Sequence, residues 1–213
     1  KPGRTVLKNK LSQFIQPSDF IIANAENSAK GAGITVKSYQ ELCDTGINAL
    51  TGGNHTYDKR ESLPHFDKFE TFVRPLNYPD ENPGRGYRFF TKNETRIAVV
   101  SLMGQVFMNT LNCPFRTIQN HLDEIKKEAD IIIIDFHTEA TSEIQALGWF
   151  LDGKVSLIFG THTHVQTADE RILPQGTGYI SDIGMVGSED SILGAKKEPI
   201  LHRFLTRIHV RHE

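Results

Sequence analysis

Side chains that can bind metal ions directly follow four apolar runs of the sequence. These polar clusters are Glu26-Asn27, Gly52-Gly53-Asn54-His55, Asp135-Phe136-His137 and Gly160-Thr161-His162-Thr163-His164. If each apolar run is a strand of an α/β sheet, each cluster lies at the carboxyl end of a strand, where open sheets of this kind bind ligands. This shared position is the main indication of a functional site.

Two of the clusters have a spacing that favours metal binding. His162 and His164 are two residues apart, and in an extended chain such side chains point to the same side, so both imidazoles can approach one centre. The two glycines before Asn54-His55 allow a sharp backbone turn, which brings an amide oxygen and an imidazole close to a ligand.

Each cluster also has a purely structural interpretation. The histidine pair could belong to a solvated loop, and the glycine-asparagine segment could be a tight turn. A single histidine after a strand, such as His137, is often only hydrogen-bonded, and Asn27 could cap a helix.

Taken together, the clusters offer one bridging carboxylate, two amide oxygens and three imidazoles. This mixed nitrogen and oxygen set suits Mn, Fe or Zn better than Ca or Mg. Two metal ions about 3.5–4 Å apart would hold the attacking and leaving oxygens of a phosphoryl transfer. The small number of carboxylates leaves the centre positive, which favours an anionic substrate.

The elements that must position these residues are predicted from the apolar runs. Short runs rich in Ile and Val, separated by amphipathic helices, predict an α/β fold with parallel strands buried on both faces. The predicted strands are Phe20–Ala23, Ile47–Leu50, Ile97–Leu102, Ile131–Ile134, Val155–Phe159 and Tyr179–Ile183. The predicted helices contain Ile118, Leu122 and Ile125; Ala140, Ile144, Leu147 and Leu151; and Ile200, Leu201, Phe204 and Leu205.

Two further segments complete the predicted organisation. The stretch Pro75 to Gly86 is rich in proline and glycine, which predicts an internal loop within one continuous sheet. The alternating residues 208–211 at the end of the sequence predict a last strand.

The composition of the sequence does not favour a nucleic-acid-binding, disulfide-rich or membrane-spanning protein. The 213 residues carry 24 Lys+Arg against 26 Asp+Glu, a net charge of −2, so neither a membrane surface nor a long nucleic acid is an expected partner. Only two cysteines occur, and no apolar run approaches a membrane span. We therefore expect a cytoplasmic protein, with homo-oligomerisation left open.

The ordered set Glu-Asn, Gly-Asn-His, His and His-x-His resembles the calcineurin-like metallophosphoesterase pattern. More closely, the sequence resembles the YmdB family of bacterial phosphodiesterases, over nearly the whole chain. The segments that carry this resemblance are IIANAENSAKGAGIT, GGNHTYDK, VRPLNYPDENPGRGY, DFHTEATSEIQALGWFLDG, GTHTHVQTADERILPQGTGYISDIGM and LGAKKEPILHRFLT. The resemblance implies a calcineurin-like α/β fold, with layered sheets flanked by helices and a metal site at the carboxyl ends of strands.

The resemblance also implies a role for each candidate residue. Glu26 would bridge two metal ions, iron or manganese with zinc as the alternative, and His55 would be the general acid or a transition-state electrophile. Asn27 and His164 would bind the first ion, and Asn54, His137 and His162 the second. A bridging hydroxide would attack the phosphorus of a small phosphodiester such as 2′,3′-cyclic AMP.

One feature departs from the family pattern. Members begin with a strand that ends in Gly-Asp shortly before a Pro-Gly-Arg, and that Asp binds the first metal ion. Here the sequence starts at Lys1, directly before Pro2-Gly3-Arg4. We expect residues 1–213 to be a single metallophosphoesterase domain that lacks the first strand and the C-terminal strands of the family, either by trimming or as a variant with an impaired first site.

Two other functions stay open from the sequence. The same centre could serve a phosphomonoesterase or an RNA nuclease, although the scattered Lys and Arg residues do not favour a nucleic-acid groove. Alternatively, the protein could be a metal-binding regulatory protein without chemistry, since the first Asp is missing. Asp169-Glu170 could orient an imidazole, but we expect a solvated acidic turn there.

Overall fold

Two β-sheets packed face to face form the centre of the fold. The computed structural model describes residues 2–209. The strands are β1 (Ile22–Asn24), β2 (Ala49–Thr51), β3 (Phe72–Val73), β4 (Tyr87–Lys92), β5 (Thr95–Met103), β6 (Ile131–His137), β7 (Leu157–Thr161), β8 (Arg171–Ile172) and β9 (Gly178–Ile180). The α-helices are α1 (Pro2–Lys10), α2 (Val36–Cys43), α3 (Pro114–Glu128), α4 (Thr141–Leu151) and α5 (Lys197–Thr206), and 3₁₀ helices span Leu11–Gln13 and Arg60–Lys68.

The two sheets differ in size and in strand direction. The smaller sheet has the order β1-β2-β3 and is parallel throughout. The larger sheet has the order β4-β5-β6-β7-β9-β8, with antiparallel pairs at its two ends and parallel pairs between them. The parallel strands of both sheets therefore carry the predicted clusters at their carboxyl ends.

The alternation of side chains along β5 explains how the layers are held together. Ile97 and Val99 face the smaller sheet and pack there with Ala49 and Val73. The residues between them, such as Ala98, belong to a second core on the opposite face, beneath α3 and α4. Because successive side chains of a strand point to opposite faces, an almost wholly apolar strand is needed at this central position.

Helices α3 and α4 cover the outer face of the larger sheet, as their sequences predict, whereas α2 was not predicted. Pro114 starts α3 at a position where the missing N–H costs no hydrogen bond, and Ile118, Leu122 and Ile125 form its buried face. In α2, the Thr35 hydroxyl accepts from the amide of Ser38, whose own hydroxyl accepts from the Thr35 amide. This reciprocal capping fixes the helix that follows the Glu26-Asn27 cluster.

The prediction of one continuous sheet is wrong. Residues 75–86 form the loop that was predicted, but they lead from the smaller sheet to the larger one. Two isolated bridges pin the ends of this loop, Arg85 to Val73 and Pro75 to Ser101. Apolar runs on both sides of a loop do not distinguish one sheet from two that pack against each other, which explains the error.

The individual elements agree better with the sequence. The six strands predicted from apolar runs and all three predicted helices are present, with shifted ends. Strands β3, β4 and β8 were not predicted, because β3 and β8 are two residues long and β4 follows the glycine-rich loop. In the predicted last strand, residues 208 and 209 are irregular, and residues 210 and 211 lie outside the described part of the chain. Between residues 2 and 209, we find no helix long and apolar enough to cross a membrane.

Candidate metal centre

Three predicted site residues converge on one ring nitrogen of a fourth, His137, at the end of β6. His137 Nε2 lies 2.7 Å from Asn54 Oδ1, 3.1 Å from His162 Nδ1 and 3.3 Å from Glu26 Oε1. Glu26 and His137 are each only 1 % exposed. One ligand atom each from Glu26, His137 and His162 lies within 4.8 Å of the others, which is a spacing that could hold a metal ion.

A buried hydrogen-bond chain orients the imidazole of His137. Thr161 Oγ1 donates to Asp135 Oδ1 at 2.7 Å, and it lies 3.0 Å from His137 Nδ1. Since the hydroxyl proton is directed to the carboxylate, the hydroxyl oxygen accepts from the Nδ1–H of His137. The imidazole therefore presents the lone pair of Nε2 to the centre, which is the form that binds a metal ion.

An exposed carboxylate, that of Glu139, orients His162 in a similar way. Its Nε2 lies 3.0 Å from Glu139 Oε2, so the Nε2–H donates to that carboxylate and leaves the lone pair on Nδ1. Nδ1 is the atom that faces His137. The lone pairs of both imidazole nitrogens therefore point to the same place as those of Asn54 Oδ1. These lone pairs repel one another, and a bound cation would remove that repulsion.

Asn27 and His164 form a second pair at the edge of this centre. The Asn27 side-chain amide donates from Nδ2 to the carbonyl of Gly31 at 2.8 Å, which directs Oδ1 toward His164 Nε2 at 3.3 Å. This pair offers one oxygen and one nitrogen, and it lines the same cavity as Glu26.

The two histidines of the His-x-His segment do not act as neighbours in an extended chain, as the sequence argument assumed. His162 and His164 have φ angles of 109° and 65°, in the left-handed region that non-glycine residues seldom adopt. His162 turns to His137 and His164 to Asn27. Asp182 holds the segment, because its Oδ2 accepts from both the amide and the hydroxyl of Thr163 at 2.9 and 2.8 Å.

The two positions before Asn54 require glycine because a side chain would not fit there, and not because the backbone turns sharply. Neither Gly52 nor Gly53 has a positive φ. A Cβ at Gly53 would overlap Glu26 Oε2 and His137 Nε2. The backbone passes close to the ligand atoms here, and only glycine permits that approach.

The predicted catalytic residue His55 lies at the same turn. Its backbone amide donates to Glu26 Oε2 at 2.9 Å, which ties the turn to the carboxylate. Its side chain is 39 % exposed, and Nδ1 lies 2.7 Å from Asp58 Oδ2. The Nδ1–H donates to Asp58 and leaves the other ring nitrogen free for a substrate.

The electrostatics of the centre favour the ligand forms of its side chains. Burial raises the pKa of the Glu26 carboxyl, but His137 and the His55 amide outweigh it and hold that pKa below its usual range. Burial, and after it the charge of His137, lowers the pKa of His162. A carboxylate and a neutral imidazole are the forms that bind metal ions.

The centre opens into a cavity of about 460 Å³. Glu26, His137, His162 and His164 line its polar wall, and Met185 and Val186 lie among its apolar lining residues. A cavity of this size suits a small ligand.

Several residues of the centre were not predicted from the sequence. Asp135 is fully buried and accepts hydrogen bonds from Thr51, Thr161 and Asn24. Burial raises the pKa of its carboxyl despite these bonds. Its position directly before Phe136-His137 was noted, but only the fold brings the hydroxyls of two other strands to it. Asp169, predicted as a solvated turn, is half-buried and accepts from Ser181 and Thr167 instead of orienting an imidazole.

Comparison with known proteins first defines the class of fold. A 5′-nucleotidase precursor from Thermus thermophilus superposes with a TM-score of 0.59 at 14 % identity, over 85 % of this chain and 42 % of that one. This similarity shows the calcineurin-like fold alone. A protein described as hypothetical from the same organism superposes with a TM-score of 0.93 at 39 % identity, over 100 % of this chain and 83 % of that one.

The sequence comparison defines the family. The chain belongs to the YmdB-like protein family, whose model matches residues 1–213. A relative from Bacillus subtilis (strain 168), named 2′,3′-cyclic-nucleotide 2′-phosphodiesterase, is 46 % identical over 213 residues, which cover 99 % of this chain and 80 % of that protein. The predictions of the YmdB family, of the calcineurin-like α/β fold and of a hydrolase are confirmed.

Proposed function

We propose that this chain is a metal-dependent phosphodiesterase that hydrolyses 2′,3′-cyclic nucleotides. The observation that carries the proposal is the convergence of Glu26 Oε1, Asn54 Oδ1 and His162 Nδ1 on Nε2 of His137, at 3.3, 2.7 and 3.1 Å. The substrate class is supported by the name of the Bacillus subtilis relative.

The donor set fits a transition-metal ion. With bonds of about 2.1 Å to nitrogen and oxygen ligands, neighbouring ligand atoms are about 3.0–3.4 Å apart, close to the separations around His137. Glu26, Asn54, His137 and His162 would hold one ion, and Asn27 with His164 would supply ligands to a second ion that shares Glu26. The proposed metals are iron or manganese, with zinc as the alternative.

When bound, the metal ions supply Lewis-acid activation of the phosphoryl group and of the attacking water. The surrounding residues hold the ligand side chains in place. The chain of Asp135, Thr161 and His137 orients the ligand imidazole so that Nε2 faces the centre, and Glu139 orients the ring of His162 so that Nδ1 does.

His55 is the proposed general acid. Its free ring nitrogen gives a proton to the ribose 2′ oxygen as the bond from that oxygen to phosphorus breaks, which leaves a nucleoside 3′-phosphate. Asp58 orients the ring for this step, because its Oδ2 lies 2.7 Å from His55 Nδ1. A water molecule supplies the new oxygen on phosphorus.

We further propose that residues 1–213 form one domain and that the enzyme works in the cytoplasm. The compartment is supported by Cys43 and Cys113, which are both free thiols, as expected in a reducing environment.

The test is hydrolysis of 2′,3′-cyclic AMP by the purified chain with added Mn²⁺, followed by chromatography of adenosine 3′-phosphate. We expect turnover that a chelator abolishes. His137→Ala should lose activity at least a hundredfold, whereas His202→Ala, which removes an exposed histidine of α5, should retain it. His55→Gln should lower kcat by about 10²–10⁴ and leave the metal content unchanged.

The same assay separates the alternative functions. Hydrolysis of adenosine 3′-phosphate or of single-stranded RNA in preference to the cyclic substrate would favour a monoesterase or a nuclease. At most one bound metal ion per chain, without turnover of any of these substrates, would favour a regulatory metal-binding protein. Turnover that is unchanged in His137→Ala would refute the assignment of the site.

A further inference from the structure

A second cavity, of about 570 Å³, lies away from the metal centre. It lies along β4, the outermost strand of the larger sheet, next to the loop of residues 75–86. None of its lining residues lines the cavity of the metal centre. Four of its ten lining residues are arginines, Arg74, Arg85, Arg88 and Arg96. We call it the arginine cavity.

Arg74 is the buried member of this group. Its residue is only 5 % exposed, and its Nη1 donates to the carbonyl oxygen of Pro75 at 2.8 Å. Its buried Nε has no hydrogen-bond partner. A buried guanidinium without a carboxylate is costly, so an anion in the cavity would stabilise it.

Hydrogen bonds to the backbone place two more arginine residues near Arg74. Its amide donates to the carbonyl oxygen of Arg85 at 2.9 Å, so the two residues lie side by side. Arg88 Nε donates to the carbonyl oxygen of Phe72 at 2.9 Å, at the end of the strand that leads to Arg74. Burial, and after it the charge of Arg85, lowers the pKa of Arg88, as expected where positive charges are close together.

The neighbouring carboxylates act on these arginines only at a distance, since the charges of Glu70 and Asp67 oppose the lowering of the Arg88 pKa. Glu70 and Asp80 also line the cavity, but within residues 2–209 neither is within 4.0 Å of an arginine nitrogen. Arg96 differs, because it pairs with Glu128 at 3.0 Å and lies over the ring of Phe89. Three arginines that form no ion pair within residues 2–209 therefore line one cavity.

We propose that the arginine cavity binds the phosphate group of a small ligand. Several guanidinium groups suit a tetrahedral dianion, which offers oxygens in several directions, better than a planar carboxylate, which one arginine can satisfy. The open cavity leaves room for more than the phosphate itself. The site is independent of the proposed phosphodiesterase activity.

The test is calorimetric titration of the metal-loaded chain with inorganic phosphate and, separately, with adenosine 3′-phosphate. Arg85→Gln removes an exposed charge that holds no described contact of the fold, and it should weaken phosphate binding about tenfold. Arg88→Gln should have a similar effect. The matched control Arg60→Gln, at an exposed arginine outside the cavity, should bind like the wild type.

A further variant separates this site from the metal centre. If phosphate binding survives in His137→Ala and is weakened in Arg85→Gln by about the tenfold expected above, while Arg85→Gln retains turnover of 2′,3′-cyclic AMP, the proposal is supported. Equal affinity for both probes would indicate recognition of phosphate alone, and tighter binding of adenosine 3′-phosphate would indicate a nucleotide. Binding that depends on His137 alone, or binding of single-stranded RNA without either small probe, would overturn the proposal.

Discussion

The hydroxyl of Thr161 provides the sharpest test of how the centre is built. Thr161 is 4 % exposed, and it links Asp135 to His137 with contacts of 2.7 and 3.0 Å. Thr161→Val keeps the shape of the side chain but removes both contacts. The Nδ1–H of His137 is then unpaired, and a proton can move to Nε2, where it blocks metal binding. Loss of such an outer hydrogen bond weakens metal affinity or activity by about 10–100-fold.

The matched control is Thr177→Val. Thr177 is also fully buried, and its hydroxyl donates to the carbonyl oxygen of Val155 at 2.8 Å, away from the centre. Both variants should lose about 1–3 kcal/mol of unfolding free energy, because each leaves buried polar groups unpaired. Only Thr161→Val should lose metal affinity, measured by competition with a chelator. Equal metal affinity in the two variants would refute the role of the hydroxyl chain.

Three further changes have predictable outcomes. Gly53→Ala places a Cβ onto the ligand atoms and should reduce metal content, measured by elemental analysis, whereas Gly178→Ala, with no atom closer than 3.2 Å, should not. Glu139→Ala should weaken metal affinity up to tenfold, and Glu139→Gln should retain most of it, because its amide oxygen can still accept from His162. Burial raises the pKa of Asp169, but the hydrogen bonds from Ser181 outweigh this effect and hold that pKa below its ordinary value. The stability advantage over Asp169→Asn should therefore be full above about pH 4 and disappear on acidification below it, in urea titrations.

The sequence was sufficient to predict the strands that carry the site. Apolar runs such as Ile131–Ile134 mark buried parallel strands, and the polar residues that end them must meet at one edge of the fold. Glu26, Asn54 and His162 do converge on His137 as this argument requires. Their roles as ligands stay a prediction until metal binding is measured.

What the sequence could not predict depends on contacts between distant segments. Thr161 and Asp135 are 26 residues apart, and nothing in either local pattern indicates that they form a hydrogen bond. The division into two sheets was also missed, because Val73 and Val99 look alike as core residues whether they pack within one sheet or between two. The strained backbone of His162 arises from the fold around it, where Asp182 fixes the neighbouring Thr163.

Metal stoichiometry tests the central claim most directly. The chain is dialysed against Mn²⁺ and its metal content is measured by elemental analysis, alongside His137→Ala and the control His202→Ala. We expect two ions per chain in the wild type and in the control, and at most one in His137→Ala. Absence of specific binding in the wild type, or two ions retained in His137→Ala, would contradict it.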